Sequence, residues 1–214
     1  MARDISPNEP TCGDKAVNPC RDCSPKSFQS LKAILSCFKS KWSKAVEVEW
    51  FYYRMEDFSD KTLRLASRAS LKGDDKKHSH QFRIPNAALD EAEKIILSLK
   101  DYIRNLKNCA ELHNLIIEKV ENVVSGFGPM SSYDTAVRIG MMLGFEPKFV
   151  YLHAGSAEGA RAILGNSLCK GKVKLSVREF PVEISSSGFS SDQIESFLCI
   201  CKKSLQALRE NNFR

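Results

Sequence analysis

Ser125-Gly126-Phe127-Gly128-Pro129 separates two apolar stretches of helical spacing, and how this turn is read decides the fold. Before it, Leu112, Leu115, Ile116, Val120, Val123 and Val124 recur at helical intervals. After it, Ser131-Ser132-Tyr133-Asp134 opens a second helix carrying Ala136, Val137, Gly140, Met141 and Leu143. A short glycine turn between packed helices can aim several backbone N–H groups at one point. Two glycines permit positive φ and let an external oxygen approach without meeting a Cβ. The N-terminus of the second helix adds partial positive charge, which favours a phosphate. The expected phosphate donors are the amides of Phe127, Gly128 and Met130, in a turn bounded by Gly126 and Ser131. The competing reading is structural: Gly126 ends the first helix in a left-handed cap and Ser131 starts the next.

Gly126-Phe127-Gly128-Pro129, Ala136, Arg138 and the apolar run Val150-Tyr151-Leu152 together resemble the helix-hairpin-helix DNA glycosylase superfamily. There, a Gly-hydrophobic-Gly hairpin leads into an alanine-containing helix, and a short apolar run precedes the catalytic aspartate. The resemblance covers residues 110 to 165 and places a helix-hairpin-helix element at about 111–144. It implies a protein that grips the DNA phosphate backbone, with a place in DNA repair or genome defence.

The departures matter as much. Where that superfamily places its aspartate, this chain reads His153-Ala154-Gly155, and Met130-Ser131-Ser132 lacks the lysine of bifunctional members. Asp134 is the nearby acid, expected in the first turn of its helix, where acids stabilise the helix end. Excision chemistry would therefore fall to His153 as general acid or base, with Asp134. The structural alternative has His153 capping a short helix and Asp134 pairing with Arg138 at i,i+4. A looser resemblance is to a family of uncharacterised bacterial proteins. It is carried by His78-Ser79-His80-Gln81-Phe82-Arg83-Ile84-Pro85, Tyr133 to Gly140, Val150 to Gly155 and Ile194 to Ile200. It implies a bacterial source and a shared architecture, and it brings no activity.

Hydrophobic residues make up 43% and charged residues 27% of the 214, the balance of an ordinary globular protein. The apolar runs are too short for a transmembrane helix, so no membrane partner is expected. Met1-Ala2-Arg3-Asp4-Ile5 lacks the apolar core of a secretory signal, and a cytoplasmic location is expected. The formal charge of +6 permits nucleic-acid binding without requiring it. Basic residues concentrate at Lys39-Ser40-Lys41, Lys76-Lys77-His78 and Lys170-Gly171-Lys172-Val173-Lys174.

Eight cysteines without a secretory signal argue against a disulfide framework. Cys109, Cys199 and Cys201 fall in helical apolar patterns, where cysteine is a small hydrophobe. Cys20-Arg21-Asp22-Cys23 has metal-ligand spacing, and Cys12 and Cys37 could complete a zinc site. No second Cys-x-x-Cys pair exists, and a helix is expected between Cys23 and Cys37. The preferred reading has unpaired thiols and no metal.

Residues 1–24, with Pro7, Pro10, Gly13 and Pro19, read as a flexible arm. Residues 25–214 read as an all-α domain of about eight helices. Ser24-Pro25 starts the first helix, with a stripe of Phe28, Leu31, Ile34, Leu35 and Phe38. A long helix is expected from Ser43 through Trp50 to Met55, although its aromatic and β-branched content also fits a strand. Ser59 caps the next, and Pro85 and Asn86 open an amphipathic helix with Leu89, Ala92, Ile96, Leu99, Ile103 and Leu106. Pro147 is expected to open a helical turn, and Ser156 to cap a helix that stops at Gly165. Lys172 to Arg178 alternates as an extended segment. The last helix starts at Ser190 or Ser191, with Gln193 or Glu195 in capping positions, and buries Ile194, Phe197, Leu198, Cys201, Leu205 and Leu208.

His78 and His80 read either as solvated loop histidines or, with Lys76, Lys77 and Arg83, as phosphate contacts. Phosphate-loop, nucleophile-elbow and zinc-protease motifs are missing, and no cofactor is expected. Three readings follow. The first is a DNA-binding protein with a helix-hairpin-helix clamp. The second is a glycosylase- or lyase-like enzyme with a non-standard catalytic residue, and the third a helical module for a protein partner.

Overall fold

The computed structural model describes residues 28–41, 50–68 and 84–212. Among them are eight helices of seven residues or more and one pair of two-residue strands, so the chain is all-α as its periodicity predicts. No helix among the described residues is long and apolar enough to cross a membrane. Contacts group these residues into two compact units, named here for their place in the sequence. The central unit holds residues 50–68 and 84–147, and the flanking unit holds 28–41 and 148–212.

In the central unit residues 50–55 are helical, and α2 (Asp60–Arg68) follows α1 (Leu31–Lys41) of the flanking unit in chain order. Ser59 caps α2 as expected: its Oγ accepts the Thr62 N–H at 3.3 Å, while its own N–H donates to Thr62 Oγ1 at 3.0 Å. α3 (Asn86–Ser98) starts directly after Pro85 and buries Ala88, Leu89, Ala92 and Ile96. Arg64 and Arg68 of α2 both bond Glu93 of α3, and Arg68 also bonds Asp90. After a single turn residue, α4 (Lys100–Arg104) extends the same apolar stripe to the buried Ile103.

α5 (Cys109–Ile116) is capped by Asn108, whose Oδ1 accepts the Glu111 N–H at 3.0 Å. It then widens into a π-helical segment, Ile117–Glu121, with Asn122 N–H bonded to Ile117 O at 3.0 Å. The spacing of the apolar residues explains the change. Leu112, Ile116, Val120 and Val124 stand four apart, and in an α-helix each step would drift about 40° around the axis. A wider winding takes up that drift, and all four side chains are buried. The regular helix expected up to Val124 is thus corrected at its last turn. α6 (Pro129–Met142) then packs against α5.

In the flanking unit α1 (Leu31–Lys41) begins later than the sequence suggests. Ser24 and Pro25 lie outside the described residues, residues 28–30 are not helical, and Ser30 Oγ accepts the Ala33 N–H at 3.2 Å. Phe28 and Leu31 still pack on the core. Pro147 does not open a helical turn either. Residues 145–149 run without helix into β1 (Val150–Tyr151), because that run has a partner the sequence did not reveal. β2 (Lys174–Leu175) pairs with it antiparallel, Val150 opposite Leu175 and Tyr151 opposite Lys174.

Between these strands lie α7 (Ala154–Leu164) and α8 (Asn166–Cys169). His153, not Ser156, occupies the N-cap of α7. Ser156 is the third helical residue, and its Oγ accepts the His153 N–H at 3.1 Å. The helix stops at Gly165 as expected, with Arg209 donating to the Arg161 carbonyl at 2.6 Å. A 3₁₀ turn (Val177–Glu179), α9 (Val182–Ser185), α10 (Ser191–Ile200) and α11 (Lys202–Asn212) complete the unit. Ser190 caps α10, with Gln193 Oε1 accepting its N–H at 3.0 Å. Phe38 of α1 meets Phe189 and Phe197 edge-on, with ring centroids 5.5 and 5.4 Å away. Burying a side chain such as Phe197 is worth roughly 1.5–3 kcal/mol.

Backbone proximity holds α7 to α10. A Cβ on Gly159 would stand 2.2 Å from the Leu198 carbonyl oxygen, and one on Gly155 would stand 2.6 Å from Cys199 Sγ. Only glycine at these two positions permits the approach. Cys12, Cys20 and Cys23 lie outside the described residues, while Cys37 sits partly exposed on α1. Among the described residues no group of three or more His, Cys, Asp or Glu is placed to hold a metal ion.

Candidate nucleic-acid interface

The turn between α5 and α6 is open at its tip, with Ser125, Gly126 and Pro129 exposed. Its two glycines are there for different reasons. Gly126 has φ +89°, a conformation that L side chains rarely adopt. Gly128 has φ −88° and ψ −179°, extended backbone open to any residue, and a Cβ there would meet nothing within 4 Å. Of the two glycines that permit positive φ, only Gly126 adopts it.

The amides also divide. Phe127 is buried, and its N–H donates to the Val124 carbonyl at 3.1 Å, so it is not a phosphate donor in this geometry. Among the described residues the N–H groups of Gly128, Met130 and Ser131 have no bonded acceptor. α6 has no side-chain cap and no acid in its first turn. Among the described residues, neither a capping side chain nor a first-turn acid offsets its N-terminal partial charge.

The remaining candidates on α6 are buried. Pro129 is its first residue, so Asp134 stands in the second turn, not the first, and is no helix-end acid. At about 100° per residue, Ser131, Asp134, Thr135 and Arg138 share one sector of the helix. All four are buried, Arg138 to 1% exposure. Arg138 Nη2 stands 3.9 Å from Asp134 Oδ2, the i,i+4 ion pair foreseen in the sequence. Isolating two charges from water is expensive, so each holds the other in place. A phosphate would reach Arg138 only if its cover moved. His113, not singled out in the sequence, lies edge-on to Tyr133 at 5.7 Å between centroids.

The basic candidates Lys76, Lys77, His78, His80 and Arg83 lie outside the described residues. The chain that carries them enters the described structure at Ile84 and Pro85, and Pro85 Cδ is 3.5 Å from where a Gly126 Cβ would be. That contact places Pro85 beside the turn. His153 belongs to the flanking unit and Asp134 to the central one. His153 Nε2 stands 3.6 Å from Glu195 Oε1, a partner that the capping pattern around Ser190 concealed. Both side chains are about nine-tenths buried.

No protein-family model matches the chain, and neither a curated protein nor a solved structure matches it.

Proposed function

We propose that this protein binds DNA through the α5–α6 turn, holding phosphate oxygens on the Gly128 and Met130 amides. The observation that carries the reading is the N-terminus of α6: exposed at Pro129, without a side-chain cap, free of first-turn acid and opening on a glycine with empty space where a side chain would be. Glycine is an ordinary N-cap, so it is the open space beside Gly128, not the choice of cap, that supports the reading. Lys76, Lys77, His78, His80 and Arg83 would add the cations, in keeping with a formal charge of +6. A role in DNA repair or genome defence belongs to the same proposal.

The enzyme reading asks His153 and Asp134 to act together. Each has an ionic partner within its own unit, Glu195 and Arg138 respectively, and the binding reading needs neither as a catalyst. No excision is therefore expected from duplexes containing uracil, alkylated bases or mismatches. Free base released by the parent protein and abolished by His153→Ala would promote the enzyme reading.

Gly128→Val tests the binding proposal directly. The backbone at Gly128 suits any residue, so folding should be unaffected, while an isopropyl group stands where the phosphate approaches. Loss of one charge-assisted hydrogen bond should weaken duplex binding roughly tenfold or more. Fluorescence anisotropy across a salt series reads the effect. Parental affinity in a folded Gly128→Val variant would defeat the clamp.

A further inference from the structure

The β1–β2 ribbon carries chemistry that the α5–α6 turn does not use. Val150 and Leu175 are opposed and turn into the flanking core, at 0% and 1% exposure. Of the other pair, Tyr151 is buried and Lys174 exposed, and Phe149, the residue before β1, also lies at the surface. There Lys174 Nζ lies 4.8 Å from the centroid of the Phe149 ring and 5.9 Å from that of Tyr151. Phe149 is 36% exposed, a large aromatic held at the surface by the strand that follows it.

The segments that carry it are strongly basic. Residues 148–151 and 170–179 hold Lys148, Lys170, Lys172, Lys174 and Arg178, all exposed, and Glu179 is the only acid among them. Glu179 is matched already, its Oε1 bonded to Lys172 Nζ at 2.6 Å. Among the described residues Lys148, Lys170, Lys174 and Arg178 have no carboxylate partner. An ammonium resting on a ring gains little at an exposed site, roughly 0.5–1 kcal/mol, so a phosphate can draw Lys174 away and free the ring.

We infer that the outer face of this ribbon binds single-stranded nucleic acid, with one base stacked on Phe149 and the flanking phosphates paired with Lys170 and Lys174. The excess of cations selects a polyanion. The exposed ring selects one with flat aromatic groups, which an acidic peptide of Asp and Glu lacks. A ring on a ribbon can reach the face of an unpaired base, whereas the faces of duplex bases are covered by their neighbours. The inference stands independently of the α5–α6 turn.

The test uses the full chain and a fluorescein-labelled 20-nucleotide oligothymidylate, with a duplex of equal length and poly-aspartate as comparisons. The parent should bind the oligothymidylate at low salt and prefer it to poly-aspartate. Phe149→Ala should weaken that binding by about 5- to 100-fold, the range for loss of one stacked base. Its melting temperature should be unchanged, and Phe149→Trp should retain binding. The pair Lys170→Glu and Lys174→Glu should weaken binding and flatten its salt dependence. Phe149→Ala should leave duplex binding at the parental level, which Gly128→Val lowers, so failure of the turn and failure of the ribbon are read separately. No oligothymidylate binding by the parent, equal affinity in Phe149→Ala, or equal binding to poly-aspartate would each overturn the inference.

Discussion

Two pairs of glycines, one in each unit, lack a side chain for opposite reasons. In the flanking unit Gly155 and Gly159 are closed in by α10, with Cys199 Sγ and the Leu198 backbone where their Cβ atoms would be. In the central unit Gly128 faces open space, and Gly126 has only ordinary contact with Pro85. The first pair makes room for the protein's own backbone. Gly126 bends the chain with a positive φ, and Gly128 borders open space. Glycine in a sequence therefore carries no single meaning, and only its surroundings separate packing, turning and access.

The sharpest way to break this comparison is Gly159→Ala. Alanine would gain about 1 kcal/mol of helix propensity over glycine. Against that gain, the methyl would stand 2.2 Å from a backbone oxygen, so α7 and α10 would have to separate. A net loss of about 3 kcal/mol is expected, measured by urea denaturation. Gly155→Ala meets the sulfur of a side chain instead, and Cys199→Ala should relieve it. The double variant should recover 1 kcal/mol or more relative to the sum of the singles. No change at Gly159 would mean that α7 does not depend on close approach.

The central pair should respond more weakly and unequally. Gly126→Ala imposes φ +89° on an L residue and should cost about 1–2 kcal/mol. Gly128→Ala should change stability by no more than about 0.5 kcal/mol. If both substitutions destabilised equally, the division between turning and access within this turn would be wrong.

Much of the fold was legible because helical burial is periodic and local. The stripes Leu31, Ile34, Leu35 and Phe38, then Leu89, Ala92, Ile96 and Ile103, then Ile194, Phe197, Leu198 and Leu205 are buried or packed on the core. What escaped was non-local or depended on the register of a helix start. Pairing of Val150 with Leu175 joins residues far apart in the chain, and nothing in Val150-Tyr151-Leu152 names its partner. Asp134 was misplaced by one turn because Pro129, not Ser131, is the first residue of α6. His153 was foreseen as a cap, but Glu195 beside it was not, since α7 and α10 meet only in three dimensions. Gly155 and Gly159 are visible as a four-residue repeat, yet the helix they admit is not. Of the candidate site, the turn itself could be read from the sequence, while the α6 start at Pro129 and the burial of Arg138 could not.

The smallest expected effect concerns acid stability, and it tests whether the two units respond separately. Each holds an exposed carboxylate lowered by a lysine. A hydrogen bond from Lys100 keeps Asp60 below the usual carboxylate range, and Lys172 does the same for Glu179, aided by the Ser176 N–H. A depressed folded-state value means that the ionised form is favoured by folding. The contribution is present above the unfolded value, ordinarily 3.8 for Asp60 and 4.5 for Glu179, and is lost as pH falls through the lower folded value. Glu179→Gln should therefore reduce the acid dependence of hydrogen exchange at the Leu152 amide, which donates to Val173 across the ribbon at 2.8 Å. It should leave the acid dependence of α2 unchanged, and Asp60→Asn should do the reverse. Since both pairs are exposed, neither should shift stability measurably at pH 7. The same Glu179→Gln removes the one acid of the ribbon face, so at pH 7 it should strengthen oligothymidylate binding modestly while duplex binding stays as it was. Exchange that changed equally in both units would show that they unfold as one, and the contrast between the two glycine pairs would then have to be measured as a single stability.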